Sequence, residues 1–271
     1  MLERPVSIES KESLPENPEE KILRTYEVEW DREIQGGANE CRWIKLKNDG
    51  SGIFKPASGE ATKITEEVRR DAGSELREKV KKGTYYKHER AAWLIDSALN
   101  WDMVPTTVIR EVDGKVGSFQ KHAPGLVAAR TDWKKIPETQ LKKLFVLDYI
   151  LYSSDRRAEN LLVDGKKVHA IDNGLVLDND FFAPYIKLNP DDDDPPASFY
   201  RTAIIPKLAG AVKKFLNNPE AQQKLRSQLL ELVTEYEVDA CFARMKHVVE
   251  LAKHKEGLPH FDFLEFYPPI Q

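Results

Sequence analysis

The sequence predicts an α+β protein of two lobes, a β-rich first half and a mainly helical second half, and three observations carry this. Short alternating runs rich in β-branched and aromatic residues fill residues 25–56 and 104–121. After Pro124-Gly125 the apolar spacing changes to that of helices. No stretch approaches the roughly 18 apolar residues of a membrane span. The 271 residues are enough for a sizeable core, and 41% hydrophobic with 32% charged residues is the balance of a water-soluble globular chain.

Residues 1–22, rich in Glu, Ser and Pro, bury too little apolar area to offset the cost of ordering and predict a flexible tail. A first lobe spans 23–123. Its strands are Thr25-Tyr26-Glu27-Val28-Glu29-Trp30, then residues 41–46, then 52–56 after an Asn48-Asp49-Gly50 turn, an antiparallel meander. Residues 66–82 read as an exposed charged helix ended by Gly83. Residues 86–99 place Ala91, Ala92, Trp93, Ile95 and Leu99 at near-helical spacing, a helix packed against the sheet. Residues 104–111 and 115–121 form a hairpin around Asp113-Gly114.

The second lobe, 124–271, opens with a helix from near Pro137 through Leu141, Leu144, Phe145, Leu147 and Leu151. A short hairpin follows, residues 161–163 and 167–171 joined at Asp164-Gly165. Residues 204–255 are helical with a break at Asn217-Asn218-Pro219.

Net charge −4 and a pI near 6.0 give no global drive toward nucleic acid or anionic lipid, so no nucleic-acid partner is expected. Cys41 and Cys241 fit no disulfide or metal spacing and read as thiols of a reducing compartment. The N-terminus lacks the apolar core of a secretory signal, which makes the cytoplasm the expected location.

Asp155 and Asn160 lie five residues apart just after a helix, the spacing a kinase catalytic loop uses between its base and its metal-binding Asn. The hairpin folds the chain back and returns Asp172 toward Asn160, so that an amide and a carboxylate oxygen can face one hard cation, Mg2+ with Mn2+ as an alternative. Gly174 is expected to let the backbone turn sharply beside it. Upstream, Lys55 suits a strand lysine reaching nucleotide phosphates, and Glu89 suits the helix acid that holds it.

Gly36, Gly37, Ala38 and Asn39 can bring backbone N–H groups to phosphates, although a Gly-Gly hairpin turn is the commoner meaning and no Walker pattern is present. Taken singly, Asp155 also reads as a helix cap, Asp172 as a turn former and Lys55 as a surface lysine. Taken in order, they predict a protein-kinase-like fold and transfer of a phosphoryl group from ATP to a hydroxyl.

These residues resemble the phosphatidylinositol 3- and 4-kinase-related superfamily, which includes type II phosphatidylinositol 4-kinases, actin-fragmin kinase and HipA-like kinases. Phe54-Lys55-Pro56 with Gly59-Glu60 looks like its phosphate-contacting strand, and residues 89–96 look like its E-x-A-A-Y-x-x-D helix. Val104-Pro105-Thr106-Thr107 and Gly117-Ser118-Phe119-Gln120 resemble two further strands, the second leading to a hinge where Gln120, Lys121 and His122 would lie near adenine. Asp155-Arg156 through Val163 and residues 171–175 resemble D-R-H-x-x-N-x-L-V and I-D-x-G-L.

The resemblance covers about residues 34–180 and implies Lys55 on the phosphates, Glu89 as its partner, Asp155 as the catalytic Asp, and Asn160 and Asp172 on metal. Arg157 stands where the family commonly has His, and Glu159 where it has Gly. Asp148 matches a buried family position and reads as a support for the loop. The run Asp191-Asp192-Asp193-Asp194 reads as a solvated loop. A protein Ser or Thr is expected as acceptor ahead of an inositol lipid, with a small-molecule hydroxyl still open. A nucleotide-binding pseudokinase and AMP transfer are the other readings.

Overall fold

The computed structural model describes residues 17–35, 39–47, 50–60, 83–130, 135–153, 156, 158–177 and 205–254. The charged helix expected at 66–82, the turn residues Asn48 and Asp49, the run 191–194 and the first sixteen residues lie outside them. The protein is a mixed α+β fold, β-rich first and helical last.

In chain order the first half contains α1 (Pro18–Thr25), β1 (Val28–Ile34), β2 (Cys41–Leu46), β3 (Ser51–Pro56), α2 (Tyr85–Leu99), β4 (Thr107–Val112) and β5 (Lys115–Lys121). The five strands form one antiparallel sheet in the order β1-β2-β3-β5-β4. The β1-β2-β3 meander is as expected. Asp113 and Gly114 turn β4 into β5 with φ of 52° and 75°, the two positive values a type I′ hairpin needs.

The register divides the sheet into two faces. Phe54 lies opposite Phe119, which lies opposite Val108; together with Ile44, Leu46, Val112 and Leu23 they form a small core against α1. Side chains alternate along a strand, so burying Phe54 on that face sends Lys55 to the other, beside Ser118 and with Trp43, Ile53 and Gln120.

Residues 18–22, expected in the tail, belong to helix α1. Asn17 caps α1, its Oδ1 accepting the Glu19 N–H at 3.0 Å, Pro18 occupies the first turn, and Leu23 is buried in the sheet core. Thr25 and Tyr26 are therefore helix end, and the strand begins at Val28.

Helix α2 departs from expectation in what it packs on. Its apolar residues Ala91, Ala92, Trp93, Ile95 and Leu99 belong to a second, larger core with the C-terminal helices. It meets the sheet through polar side chains instead, Arg90 Nη1 donating to Thr107 O at 2.5 Å and Glu89 pairing with Lys55. The buried Glu60 carboxylate receives the Gly83 and Tyr86 N–H groups at the start of the helix, at 2.5 and 3.1 Å.

The second half runs β6 (Leu126–Val127), α3 (Glu138–Leu151), β7 (Leu161–Asp164), β8 (Lys167–Ala170), α4 (Pro206–Leu216), α5 (Pro219–Leu230) and α6 (Glu235–Lys253). Strands β6-β7-β8 make a three-stranded antiparallel sheet. Asp164 pairs with Lys167, so the hairpin loop is Gly165-Lys166, one residue later than expected, with Gly165 at φ 58° in the first loop position. Besides the expected break at 217–219 the helical region has a second one before α6, where Thr234-x-x-Glu237 is a capping box whose two reciprocal bonds are both made.

At the far end of α2 the buried Asp96 carboxylate accepts the Met103 and Val104 N–H groups at 2.9 and 3.0 Å. Burial pushes its carboxyl from 3.8 up to about 6, against those two N–H groups. Between these values the folded state binds the proton more tightly than the unfolded one, so stability from this group is present at low pH and declines as pH rises through about 6. Asp96→Asn removes that slope. Its melting temperature relative to wild type is expected to increase from about pH 4 to about pH 6, which thermal melts across the window measure.

Candidate active site

The alternation that buries Phe54 leaves Lys55 extended from the opposite face of β3. Its Nζ donates to Asp172 Oδ1 at 2.7 Å, 117 positions away, and to Glu89 Oε1 on α2. The three side chains grade outward, Glu89 at 2% exposed, Lys55 at 18% and Asp172 at 43%. Burial works against the Lys55 ammonium, but Asp172 and Glu89 outweigh it and hold its pKa above the usual lysine value. Cys41, half-buried on the neighbouring strand β2, has its thiol pKa pushed up by burial while Lys55 pulls it back.

The hairpin delivers Asp172. Leu161 pairs with Ala170, and the Ile171 N–H to Asn160 O bond at 3.0 Å extends the ladder one step, so Asn160 and Ile171 stand side by side at its open end. Asp172 follows with φ 55°, in the left-handed region that Asp tolerates better than bulkier residues. The sharp turn is thus at Asp172. Gly174, expected to make it, lacks a positive φ and serves by its size: a Cβ there would stand 3.1 Å from Tyr85 Cβ at the start of α2.

Beneath this lies a polar staple. Arg156 Nε donates to both carboxylate oxygens of Asp148, at 3.0 and 3.1 Å. Its Nη1 reaches Asn160 O and Ile171 O at 3.2 and 2.9 Å, and its Nη2 reaches Asn173 Oδ1 at 2.6 Å. Asn173 Nδ2 closes the group on Ala170 O at 3.1 Å. Burial raises the Asp148 carboxyl, and the Arg156 charge opposes the shift. Asp148, expected to support the loop, is held by the Arg156 guanidinium, because a fully buried carboxylate needs a counter-charge.

The structure therefore brings Lys55, Glu89 and Asp172 into contact and puts Asn160 one ladder step from Asp172. Asp155, Gly36, Gly37 and Ala38 lie outside the described residues; Asn39 is half-buried where the chain enters β2. The three residues expected near adenine differ among themselves. Gln120 is buried, its Nε2 donating to Thr107 Oγ1 at 3.0 Å, and Lys121 pairs with Glu19. The His122 ring packs on Trp43 at 4.4 Å between centroids, on the sheet face that carries Lys55.

The sequence reading quoted Asp155-Arg156 as a motif but gave Arg156 and Asn173 no role. A charged residue inside a loop with a buried Asp in the preceding helix was the available signal. Trp43, the wall beside His122, carried none beyond its alternation.

No protein-family model matches the chain, and no curated protein matches it in sequence. Solved structures do. A Golgi casein kinase aligns at TM-score 0.55 and 14% identity, over 87% of this chain and 75% of that one. A hydra Fam20 solved with sugar aligns at 0.54 and 13%, over 87% of each chain. The Golgi casein kinase with manganese and ADP bound aligns at 0.52 and 13%, over 86% and 74%. At these identities the likeness shows the fold, a kinase-like one.

Proposed function

We propose that this chain is a phosphotransferase that uses ATP with Mg2+ or Mn2+ and passes a phosphoryl group to a hydroxyl, a protein Ser or Thr ahead of an inositol lipid. One observation carries the reading: Lys55 is held between a buried helix acid and the aspartate that follows the hairpin. Kinship with the phosphatidylinositol 3- and 4-kinase-related superfamily belongs to the same proposal and rests on the order of motifs from Lys55 to Leu175.

In this reading Glu89 orients the Lys55 ammonium toward the phosphates, and its burial keeps that pair short of competing water. Asn160 and Asp172 supply the amide and carboxylate oxygens that hard cations take, and Asp172 is the partner of Lys55 most open to solvent. The bound cation supplies neutralisation of phosphate charge. Asp155 accepts the proton of the acceptor hydroxyl. Trp43 and His122 offer an aromatic wall for the base. A structural neighbour solved with manganese and ADP supports the nucleotide and metal, and its name, a casein kinase, supports a protein acceptor.

The test is incubation of the purified chain with γ-labelled ATP, Mg2+ or Mn2+ and a cell lysate. Label is expected in protein bands and is expected to vanish with Lys55→Met. Nucleotide binding with no transfer to protein, lipid or water would instead mark a pseudokinase, and label left on the product by α-labelled ATP in a parallel reaction would mark AMP transfer.

A further inference from the structure

Lys55 and Glu89 ride on different bodies. Lys55 is on the sheet; Glu89 is on α2, whose apolar residues are sunk in the core of the C-terminal helices. Their pairing holds only while the sheet keeps one position on α2.

Arg90 follows Glu89 and, about 100° further round the helix, leads away from Lys55. Its Nη1 donates to Thr107 O of β4 at 2.5 Å, its Nη2 to Glu20 Oε1 of α1 at 2.5 Å, and its guanidinium lies 4.4 Å over the Trp93 ring. Glu20 at 12% and Arg90 at 9% exposed make a nearly buried pair. Helix α1 is fastened to the sheet at separate points. Glu19 binds Thr106 and Lys121, Arg110 donates to Leu23 O and Tyr26 O at 2.8 and 3.1 Å, and Leu23 enters the sheet core.

We propose that α1 is a strut between sheet and helix, with Glu20 and Arg90 as positioning residues that set the approach of Lys55 to Glu89 and so the affinity for nucleotide. Helix α1 then governs the pairing of Lys55 with Glu89 through Arg90 and the sheet. Without Glu20 the Arg90 guanidinium loses the carboxylate that holds its Nη2, and a lysine in its place repels the guanidinium and loosens its Nη1 from Thr107 O of β4. The effect on nucleotide rests on the phosphotransferase reading; the effect on α2 does not.

The test uses the full chain with Glu20→Lys and with Glu20→Gln, whose amide oxygen still accepts from the Arg90 guanidinium. Glu20→Lys is expected to speed hydrogen exchange in the first turns of 85–99 and to raise the KM for ATP about tenfold, within the range usual for coupling between separate sites, while the KM for the acceptor holds. Glu20→Gln is expected to lose only part of this. Unchanged exchange in α2 of Glu20→Lys would overturn the strut whatever the activity. So would faster exchange spread over the whole sheet and as large in Glu20→Gln as in Glu20→Lys, which is general loosening of the fold. If the wild-type chain binds no nucleotide, the phosphotransferase reading fails and the exchange measurement still decides the strut.

Discussion

Asp172→Ala is expected to abolish metal-dependent nucleotide binding, while Asp155→Ala leaves it within a few-fold and loses transfer. The two carboxylates have different work. Asp172 is the more exposed partner of Lys55, one ladder step from Asn160, so its loss removes the charged oxygen of the proposed metal pair and half of the cradle around the lysine. Asp155, as the acceptor of a hydroxyl proton, acts on the second substrate only, and Asp155→Asn should lower the transfer rate by roughly 10²–10⁴-fold. Calorimetric titration with ATP and Mg2+, beside single-turnover transfer, separates the two. Equal loss of ATP affinity in both variants contradicts the assignment.

The largest effect on stability is expected from Arg156→Met. This side chain is 3% exposed and its partner Asp148 is 0% exposed, so the substitution strands a carboxylate with no route to water. Breaking such a pair from one side costs about 3–5 kcal/mol, a large share of the roughly 5–15 kcal/mol that holds a domain together. At about 2–4 °C per kcal/mol the melting temperature should fall by on the order of 10 °C. Pairing it with Asp148→Leu should restore much of the loss, since apolar residues of similar size replace buried ion pairs at little cost. A drop of a degree or two in Arg156→Met would show that the five bonds contribute little. Partial unfolding should also reach Asn160 and Asn173, which Arg156 touches directly.

How much of this was legible depended on the range of the cause. Strand alternation fixes faces locally, so the side of β3 carrying Lys55 followed from Phe54 alone, and the Asp-Gly turns gave both hairpins to within a residue. The helix with Glu89 was legible too, but not what it packs on. Periodicity says that a face is apolar and is silent on which core receives it. Helix α1 was hidden for another reason. It is eight residues long with Leu23 as its buried residue, too short to be helical on its own account, and it is held by Arg90, Arg110 and Lys121 from elsewhere in the chain. Gln120 shows the same limit: its strand was legible, but not that Thr107 across the ladder takes its amide.

The order in which the parts leave the ribosome has a bearing on when this site exists. The sheet is complete in sequence by Lys121, and α2 has already been made, but the aspartate that grips Lys55 comes 117 residues after it, and the helices that swallow α2 come later still. Synthesis proceeds at about 5–20 residues per second, so for several seconds a nascent chain carries the lysine and its glutamate with the greasy flank of α2 uncovered. The centre thus cannot be assembled before residue 172 has been made, and a chain stalled before α6 would still lack part of the core that receives α2.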